Sequence, residues 1–463
     1  MGFKDVRVVV AGLGVSGRAA ARALAGRGAV VTGVDARTEI DGAAELTSVG
    51  VRLRLGDGDS LPDGVDLVVT SPGWKPTSPL LAAAAAAGVE VIGEVELAWR
   101  LRPETGAAPW LAITGTNGKT TAVRMLTSIL RAAGLDAVAV GNVGEPIVEA
   151  VTAGHDVLAV ELSSYQLHWS STLDPRAAVI LNLAPDHLDW HGSLDAYGAA
   201  KAKIYGPNTV RVCNADDPVT VALAGPDAQR FTLGTPAPGE FGVVEDLLVD
   251  RATTEDPVRS AEELASLADV APFAPHNVAN ALAAAALART VGASCEAVRE
   301  GLRAFRPDPH RIAHVTEIDG VAYVDDSKAT NPHAAAASLA AYEHIVWIAG
   351  GLLKGADVDD LVRQAAPRLR GAVLLGADRA QIADALARHA PDVPVLDVSA
   401  TDTCAMDLVV TEAARLARPG DTVLLAPAGA SMDMFANYGA RGDAFAAAAH
   451  RLAAARNGLS REA

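Results

Sequence analysis

The run Ile113-Thr114-Gly115-Thr116-Asn117-Gly118-Lys119-Thr120-Thr121 places glycines, an ammonium group and hydroxyls side by side, directly after the apolar stretch "WLA". That combination suits the phosphates of a nucleotide. Glycine at 115 and 118 lets backbone N–H groups approach phosphate oxygens, Lys119 brings charge to the outer phosphates, and the Thr120 hydroxyl is placed for Mg2+. The run departs from G-x-x-x-x-G-K-[ST], because Ile113 stands where the first glycine belongs.

Later strand ends carry acids and imidazoles. Glu161 closes "VLAVE", and Asp186, His187, Asp189 and His191 follow "VILNLAP". Magnesium prefers hard oxygen ligands and keeps its waters, so carboxylates facing a phosphate loop suit it. Zinc would want cysteines or a third histidine close by. In "DAYGAAKAKIY", helical spacing puts Tyr197, Lys201 and Tyr205 on one face; taken alone, such a lysine reads as a solvated charge. Asn277 and Asn280 share a turn of "PHNVANALAAAALA", where amides either meet a base or ribose or cap the helix beside His276. The polar run Asp326, Ser327, Lys328, Thr330 and Asn331 is by itself a loop and helix cap. Together with Lys354 and the stretch "APAGASMDMFANYGARGDAF", it reads as a cleft lined from several strand ends.

The opening "VVVAGLGVSGR" is an apolar strand running into G-x-G-x-x-G, with Asp35 closing a second strand. Asp35 suits the ribose hydroxyl of a nicotinamide dinucleotide, and Arg37 equally suits a phosphate or a uracil-bearing ligand. Local sequence leaves both open.

These groups need sheets to position them. Strand-like runs alternate with Ala/Leu-rich helical stretches along nearly the whole chain, the pattern of parallel sheets covered by helices. At 463 residues the chain exceeds one ordinary core. Breaks at "LRPETGAAP" and "RPDPH" divide it into residues 1–104, 105–308 and 309–463. The expected class is α/β: a Rossmann-like N-terminal domain, a central P-loop ATPase-type domain and a Rossmann-like C-terminal domain. Residues 234–270 read as a hairpin around "GVVEDLLVDR" followed by a short helix. With 39 Lys and Arg against 56 Asp and Glu, the net charge of -17 argues against nucleic-acid partners. Cys213, Cys295 and Cys404 are far apart and form neither a disulfide framework nor a zinc knuckle. The most apolar run, "LLAAAAAAGVEVI", is too short and too weakly hydrophobic to span a bilayer. A soluble cytoplasmic protein is expected.

Taken in order, "GTNGKTT", "VGNVG", "ELSSYQL", "DHLDWHG", "AAKAKIY", "HNVANA", "DPHR", "DDSKATNP" and "GGLLKGAD" resemble the Mur ligases of peptidoglycan synthesis over almost the full chain. The phosphate loop is shared with folylpolyglutamate synthetases, whereas "ELSSYQL" with "DSKATNP" is similar to the D-glutamate-adding branch. The resemblance implies ATP and Mg2+ as cofactors, UDP-N-acetylmuramoyl-L-alanine and D-glutamate as substrates, an acyl-phosphate intermediate and a monomeric enzyme. It makes Lys119, Glu161, His187 and Lys201 catalytic, with Thr120, Glu161, His187 and Lys201 as metal ligands, the lysine carbamylated. It assigns Gly115, Thr116, Asn117, Gly118, Lys119, Thr120, Thr121, Asn277, Asn280, Arg311 and Asp326 to ATP. Val15, Ser16, Asp35, Arg37, Ser71, Gly73, Asn142 and His187 fall to the UDP-sugar, so "GLGVSG" receives uridine diphosphate. Lys328, Thr330, Lys354, Ser431, Met432 and Tyr438 fall to D-glutamate, where a pair of lysines suits a dicarboxylate. Leu352 and Leu353 replace residues that are often polar in the family, which leaves the contacts of that loop open. Other readings are relatives that add L-alanine or a third amino acid, a dinucleotide-dependent oxidoreductase, and a nucleotide-sugar-binding regulator with an inactive ATP site. Intact Lys119, Glu161 and His187 speak against the last.

Overall fold

The computed structural model describes residues 2–399 and 405–459, so Cys404 lies outside the described residues. The chain forms α/β sheets of five, nine and six strands. A first compact unit, 2–183, 187–269 and 279–305, holds the five- and nine-stranded sheets.

In the five-stranded sheet, Arg7–Ala11 lies at the centre between Val30–Asp35 and Leu67–Thr70, with Arg52–Leu55 and Glu90–Gly93 outside, all parallel. Alternate residues of the central strand serve opposite cores. Val8 and Val10 pack with Leu13 and Leu24 on one side, while Val9 and Ala11 pack with Leu80 and Leu81 on the other. The chain leaves the central strand where strand order reverses, which is where open α/β sheets take ligands.

The nine-stranded sheet repeats this logic. Trp110–Thr114 runs between Val157–Glu161 and Ala177–Ile180, with Ala137–Gly141 at the edge and Val210–Asn214, Gln229–Phe231 and Glu240–Val244 continuing in parallel. Leu247–Asp250 turns back as the expected hairpin. The segment after it differs from the sequence reading: it forms another antiparallel strand, Glu262–Ser266, and only a single 3-10 turn at Leu267–Asp269. Helix Lys119–Ala132 buries Met125, Leu126, Ile129 and Leu130. It is crossed closely by helix Cys295–Ala304, where a Cβ on Gly301 would lie 2.4 Å from the Ile129 backbone.

Helix Glu94–Leu101 joins these sheets through buried carboxylates. Glu94 accepts the Val148 N–H at 2.9 Å, and Glu96 accepts the Ser171 and Thr172 N–H groups at 2.9 and 3.1 Å. Burial pushes the Glu94 carboxyl up to about 7.

The second unit, 184–186, 270–278 and 306–459, holds the six-stranded sheet. Ala313–Ile318 and Val321–Asp325 form a hairpin, and Thr422–Ala428, Ile345–Gly350, Leu369–Leu375 and Val395–Asp397 follow in parallel. The loops after Asp325, Gly350 and Ala428 therefore leave from neighbouring strand ends. Trp347 and Leu424 fill the core on one face, Val346, Val423 and Phe445 that on the other.

Candidate active site

The phosphate loop begins where Ile113 stands beside Glu161 on one side and Val179 on the other. Gly118 has φ +85°, and a Cβ there would come within 2.5 Å of Asn280 Oδ1, so this turn and the close approach of Asn280 both require glycine. Lys119 opens the helix and donates to the Gly115 and Thr116 carbonyls at 2.9 and 2.8 Å. Thr120 and Thr121 follow in its first turn. Asn182, which the sequence reading did not single out, pins the loop. Its carbonyl accepts the Thr116 N–H at 3.0 Å, and its side chain bonds the Asn117 N–H and carbonyl at 2.9 and 3.1 Å. The available signal was its place at the end of the strand that flanks the phosphate strand.

Glu161 is buried to 1 % exposure. Its Oε1 accepts from Asn142 Nδ2 at 2.8 Å, while its Oε2 is buried with no hydrogen-bond partner among the described residues. A buried carboxylate oxygen in that condition is costly unless a cation meets it. Lys201 is also 1 % exposed, which overturns the reading of a solvated helix charge. Its Nζ donates to the Gly115 carbonyl at 2.8 Å and lies 4.5 Å from the centre of the Tyr197 ring. Tyr197 Oη reaches Thr116 Oγ1 at 3.3 Å. Tyr205 is not on that face. The helix ends at Ala202, and the Tyr205 phenol donates to the Val212 carbonyl and accepts the Ile180 N–H instead.

His187 adopts φ +54° ahead of the turn Leu188–His191, with its ring 4.9 Å from Tyr165 and 6.3 Å from Tyr197. Burial pushes His191 down to about 4, and its Nε2 lies 3.0 Å from Ser164 Oγ. Asp189 offers its carbonyl to Lys75 Nζ at 3.2 Å, and Asp186 falls in the second unit. Among the described residues, no group of three or more His, Cys, Asp and Glu side chains is arranged to hold a metal ion.

At the N-terminal loop, Gly12 has φ +88°, and a Cβ on Gly17 would lie 1.9 Å from the Gly12 carbonyl, while one on Gly14 would meet nothing within 4 Å. The loop is therefore packed at Gly17 and open at Gly14. Asp35 is occupied by its own loop: Oδ2 accepts the Leu13 N–H at 2.7 Å, and Arg37 forks onto both oxygens at 2.9 and 2.8 Å. The Arg37 guanidinium holds this carboxyl well below the usual carboxylate range. A ribose diol, whether of a dinucleotide or of a uridine nucleotide, would have to displace that fork to reach the carboxylate. Ser71 Oγ donates to the Gly12 carbonyl at 3.0 Å, Ser16 is half-buried, and Val15 and Gly73 are exposed.

In the second unit, Asn277 is buried and donates to the Pro272 carbonyl at 3.0 Å. Burial pushes Asp326 up to about 6, against the opposing pull of Ser338 and Arg311; Ser338 Oγ donates to it and the Ile312 N–H approaches at 3.3 Å. Arg311 lies 3.9 Å from Asp308. Asn331 caps helix Pro332–Leu339 through the Ala334 N–H, so that part of the polar run is structural. Lys328 Nζ sits 3.9 Å over the Tyr438 ring. Thr330 is half-buried, Ser431 buried, and Lys354 and Met432 exposed.

Arg441, missed in the sequence, organises this region. It is 2 % exposed and donates to Ser327 Oγ, the Ser327 carbonyl and the Gly429 carbonyl at 3.0, 2.9 and 3.0 Å, while Ser327 Oγ donates to the Tyr438 carbonyl at 2.7 Å. Sequence gives little warning, because an arginine in "GARGD" looks solvent-facing. Leu353 is a core residue.

Residues 6–93 match the Mur ligase MurD-like N-terminal domain, 113–288 the Mur ligase middle domain, and 310–429 the Mur ligase glutamate ligase domain. The chain is 63% identical to a UDP-N-acetylmuramoylalanine--D-glutamate ligase of Streptomyces coelicolor, over 98% of this chain and 99% of that protein. The chain belongs to the Mur ligase family. Mur ligases of the same printed name from Thermobifida fusca and Mycolicibacterium smegmatis are 63% and 48% identical, covering 98% and 96% of this chain and 100% and 96% of theirs. Among solved structures, the Mur ligase fold recurs in MurF from Acinetobacter baumannii, with TM-score 0.56, 20% identity and coverage of 91% of this chain and 87% of that one. It recurs also in a pseudomurein peptide ligase type C from Methanothermus fervidus, with TM-score 0.55, 20% identity and coverage of 90% and 96%.

Proposed function

We propose that this chain joins D-glutamate to UDP-N-acetylmuramoyl-L-alanine in the cytoplasm, using ATP, as a step of peptidoglycan precursor synthesis. The observation that carries the reading is the phosphate loop set against buried Glu161 and Lys201, in a chain 63% identical to a named D-glutamate ligase over nearly its full length.

A carboxylate is a poor electrophile at neutral pH, so the alanyl carboxylate must first be activated. One of its oxygens attacks the γ-phosphorus of ATP, and ADP leaves. The amine of D-glutamate, having lost a proton, then attacks the acyl carbon; the C–O bond to phosphate breaks and inorganic phosphate leaves with that oxygen. Lys119 offsets charge on the transferring phosphoryl group, which is a matter of position and electrostatics. Gly115, Thr116, Asn117, Gly118, Thr120, Thr121 and Asn280 supply the cradle, and Asn277, Arg311 and Asp326 are assigned to the nucleotide.

Glu161 fits a Mg2+ ligand, since its buried Oε2 has no hydrogen-bond partner among the described residues. With Thr120, His187 and Lys201 as a carbamate it would hold magnesium, which when bound neutralises phosphate charge during transfer. Val15, Ser16, Asp35, Arg37, Ser71, Gly73 and Asn142 are assigned to the UDP-sugar, and Lys328, Thr330, Lys354, Ser431, Met432 and Tyr438 to D-glutamate. No helix among the described residues is long and apolar enough to cross a membrane.

The test is phosphate release with UDP-N-acetylmuramoyl-L-alanine, ATP and a panel of amino acids. Turnover with D-glutamate alone is expected; equal turnover with L-alanine or a diamino acid would overturn the assignment.

A further inference from the structure

The turn that carries Lys354 is held by a residue outside every motif. Lys354 has φ +54°, the left-handed region, which a non-glycine residue keeps only where the surroundings over-determine it. Immediately upstream, Leu352 exchanges backbone hydrogen bonds with Ala430 at 2.8 and 2.9 Å, and Leu353 is 4 % exposed in the core. Asp378 brackets this pair. Its N–H donates to the Gly351 carbonyl at 3.0 Å, and its Oδ2 accepts the Leu353 N–H at 2.7 Å.

The use of this carboxylate is unusual. Asp378 occupies the N-cap position of helix Arg379–His389, where aspartate ordinarily accepts an N–H of the first helical turn. Among the described residues it makes no such cap bond. Its carboxylate is committed to the Lys354 turn. The same region is tied to the segment that carries Ser431, because Asp433 Oδ2 accepts the Ala377 N–H at 2.8 Å and Ala430 precedes Ser431.

We propose that Asp378 is a positioning residue for the amino-acid substrate: by holding the Leu353 N–H it fixes the left-handed turn that presents Lys354 to a substrate carboxylate. This rests on the assignment of Lys354 to D-glutamate. Charge alone predicts the opposite sign. Removing an anion near Lys354 would strengthen binding of a dicarboxylate, whereas releasing the turn weakens it.

The experiment is steady-state kinetics on the full-length enzyme with D-glutamate, ATP and UDP-N-acetylmuramoyl-L-alanine. Asp378→Ala is expected to raise KM for D-glutamate about tenfold, the effect of losing one charge-assisted hydrogen bond, with kcat and KM for ATP within about twofold. Asp378→Asn keeps an acceptor oxygen and is expected to stay within about threefold of wild type. Asp378→Ser keeps a good N-cap hydroxyl on a shorter side chain; it carries the same expectation as alanine and guards against loss of the helix. In a Lys354→Ala background, Asp378→Ala should add less than about twofold, since the residue it positions is gone. An unchanged or lowered KM in both Asp378→Ala and Asp378→Ser, or effects that multiply in the double variant, would overturn the proposal while leaving Lys354 in the pocket. An unchanged KM in Lys354→Ala itself would overturn both this proposal and the pocket assignment.

Discussion

Lys201→Ala is the substitution whose outcome depends most on the arrangement at the phosphate loop. Lys119 Nζ and Lys201 Nζ both donate to the Gly115 carbonyl, at 2.9 and 2.8 Å. Their separation cannot exceed the sum of those bonds, about 5.7 Å, at which two unit charges repel by about 3 kcal/mol at an effective dielectric near 20. A lysine amine that has given up its proton can attack CO2; an N–C bond forms, a second proton leaves, and an anionic oxygen ligand stands where a cation stood. Lys201→Ala removes that ligand and is expected to lose on the order of 100-fold in turnover, the size of effect when one charge-stabilising group is removed. Carbon-13 NMR of the enzyme in labelled bicarbonate should show a carbamate signal that is absent from Lys201→Ala, and formate or acetate should partly restore that variant's turnover. Near-wild-type activity of Lys201→Ala, or an active wild-type enzyme with no carbamate signal, would refute the reasoning.

Lys119→Ala is expected to melt within a few degrees of wild type, because the residue is half-buried at the first position of its helix, yet to lose about 100- to 1000-fold in turnover; a folded variant with normal turnover would remove the phosphate-loop assignment. Gly118→Ala forces a Cβ to 2.5 Å from Asn280 Oδ1 at φ +85°. It should lower the melting temperature and abolish ATP binding by calorimetry, and wild-type affinity would count against the geometry. Glu94 has a carboxyl raised from 4.5 to about 7 by burial, so the folded state holds that proton longer than the unfolded chain. Its contribution is full below roughly pH 4.5 and declines by about 3 kcal/mol as pH rises through 7. Glu94→Gln should therefore flatten the fall in melting temperature between about pH 5 and pH 8, and an unaltered slope would contradict the burial argument.

The parts of this molecule that were legible in sequence are those where backbone chemistry demands a residue type. Gly118 and Gly12 announce loops because their turns admit little else, and apolar strands before them identify the sheets. Side-chain direction was less legible. Helical spacing put Tyr205 with Lys201, but the helix stops at Ala202 and Tyr205 serves the strand end at Ile180. Lys203, two residues from Lys201, is exposed and donates to the His168 carbonyl at 2.6 Å, a contact that no spacing rule announces. Strand Glu262–Ser266 was hidden because its edge position tolerates charge and gives no alternation. Arg441, Asn182 and Asp378 act through backbone groups brought together from distant segments, and no spacing rule reports such partners.

The most direct test of the account is the fate of one oxygen. UDP-N-acetylmuramoyl-L-alanine labelled with oxygen-18 in the alanyl carboxylate is incubated with enzyme, ATP and D-glutamate, and the released phosphate is analysed by mass spectrometry. Activation through an acyl phosphate predicts a labelled oxygen in each phosphate formed, with no label in ADP. Amide formation accompanied by unlabelled phosphate would contradict it.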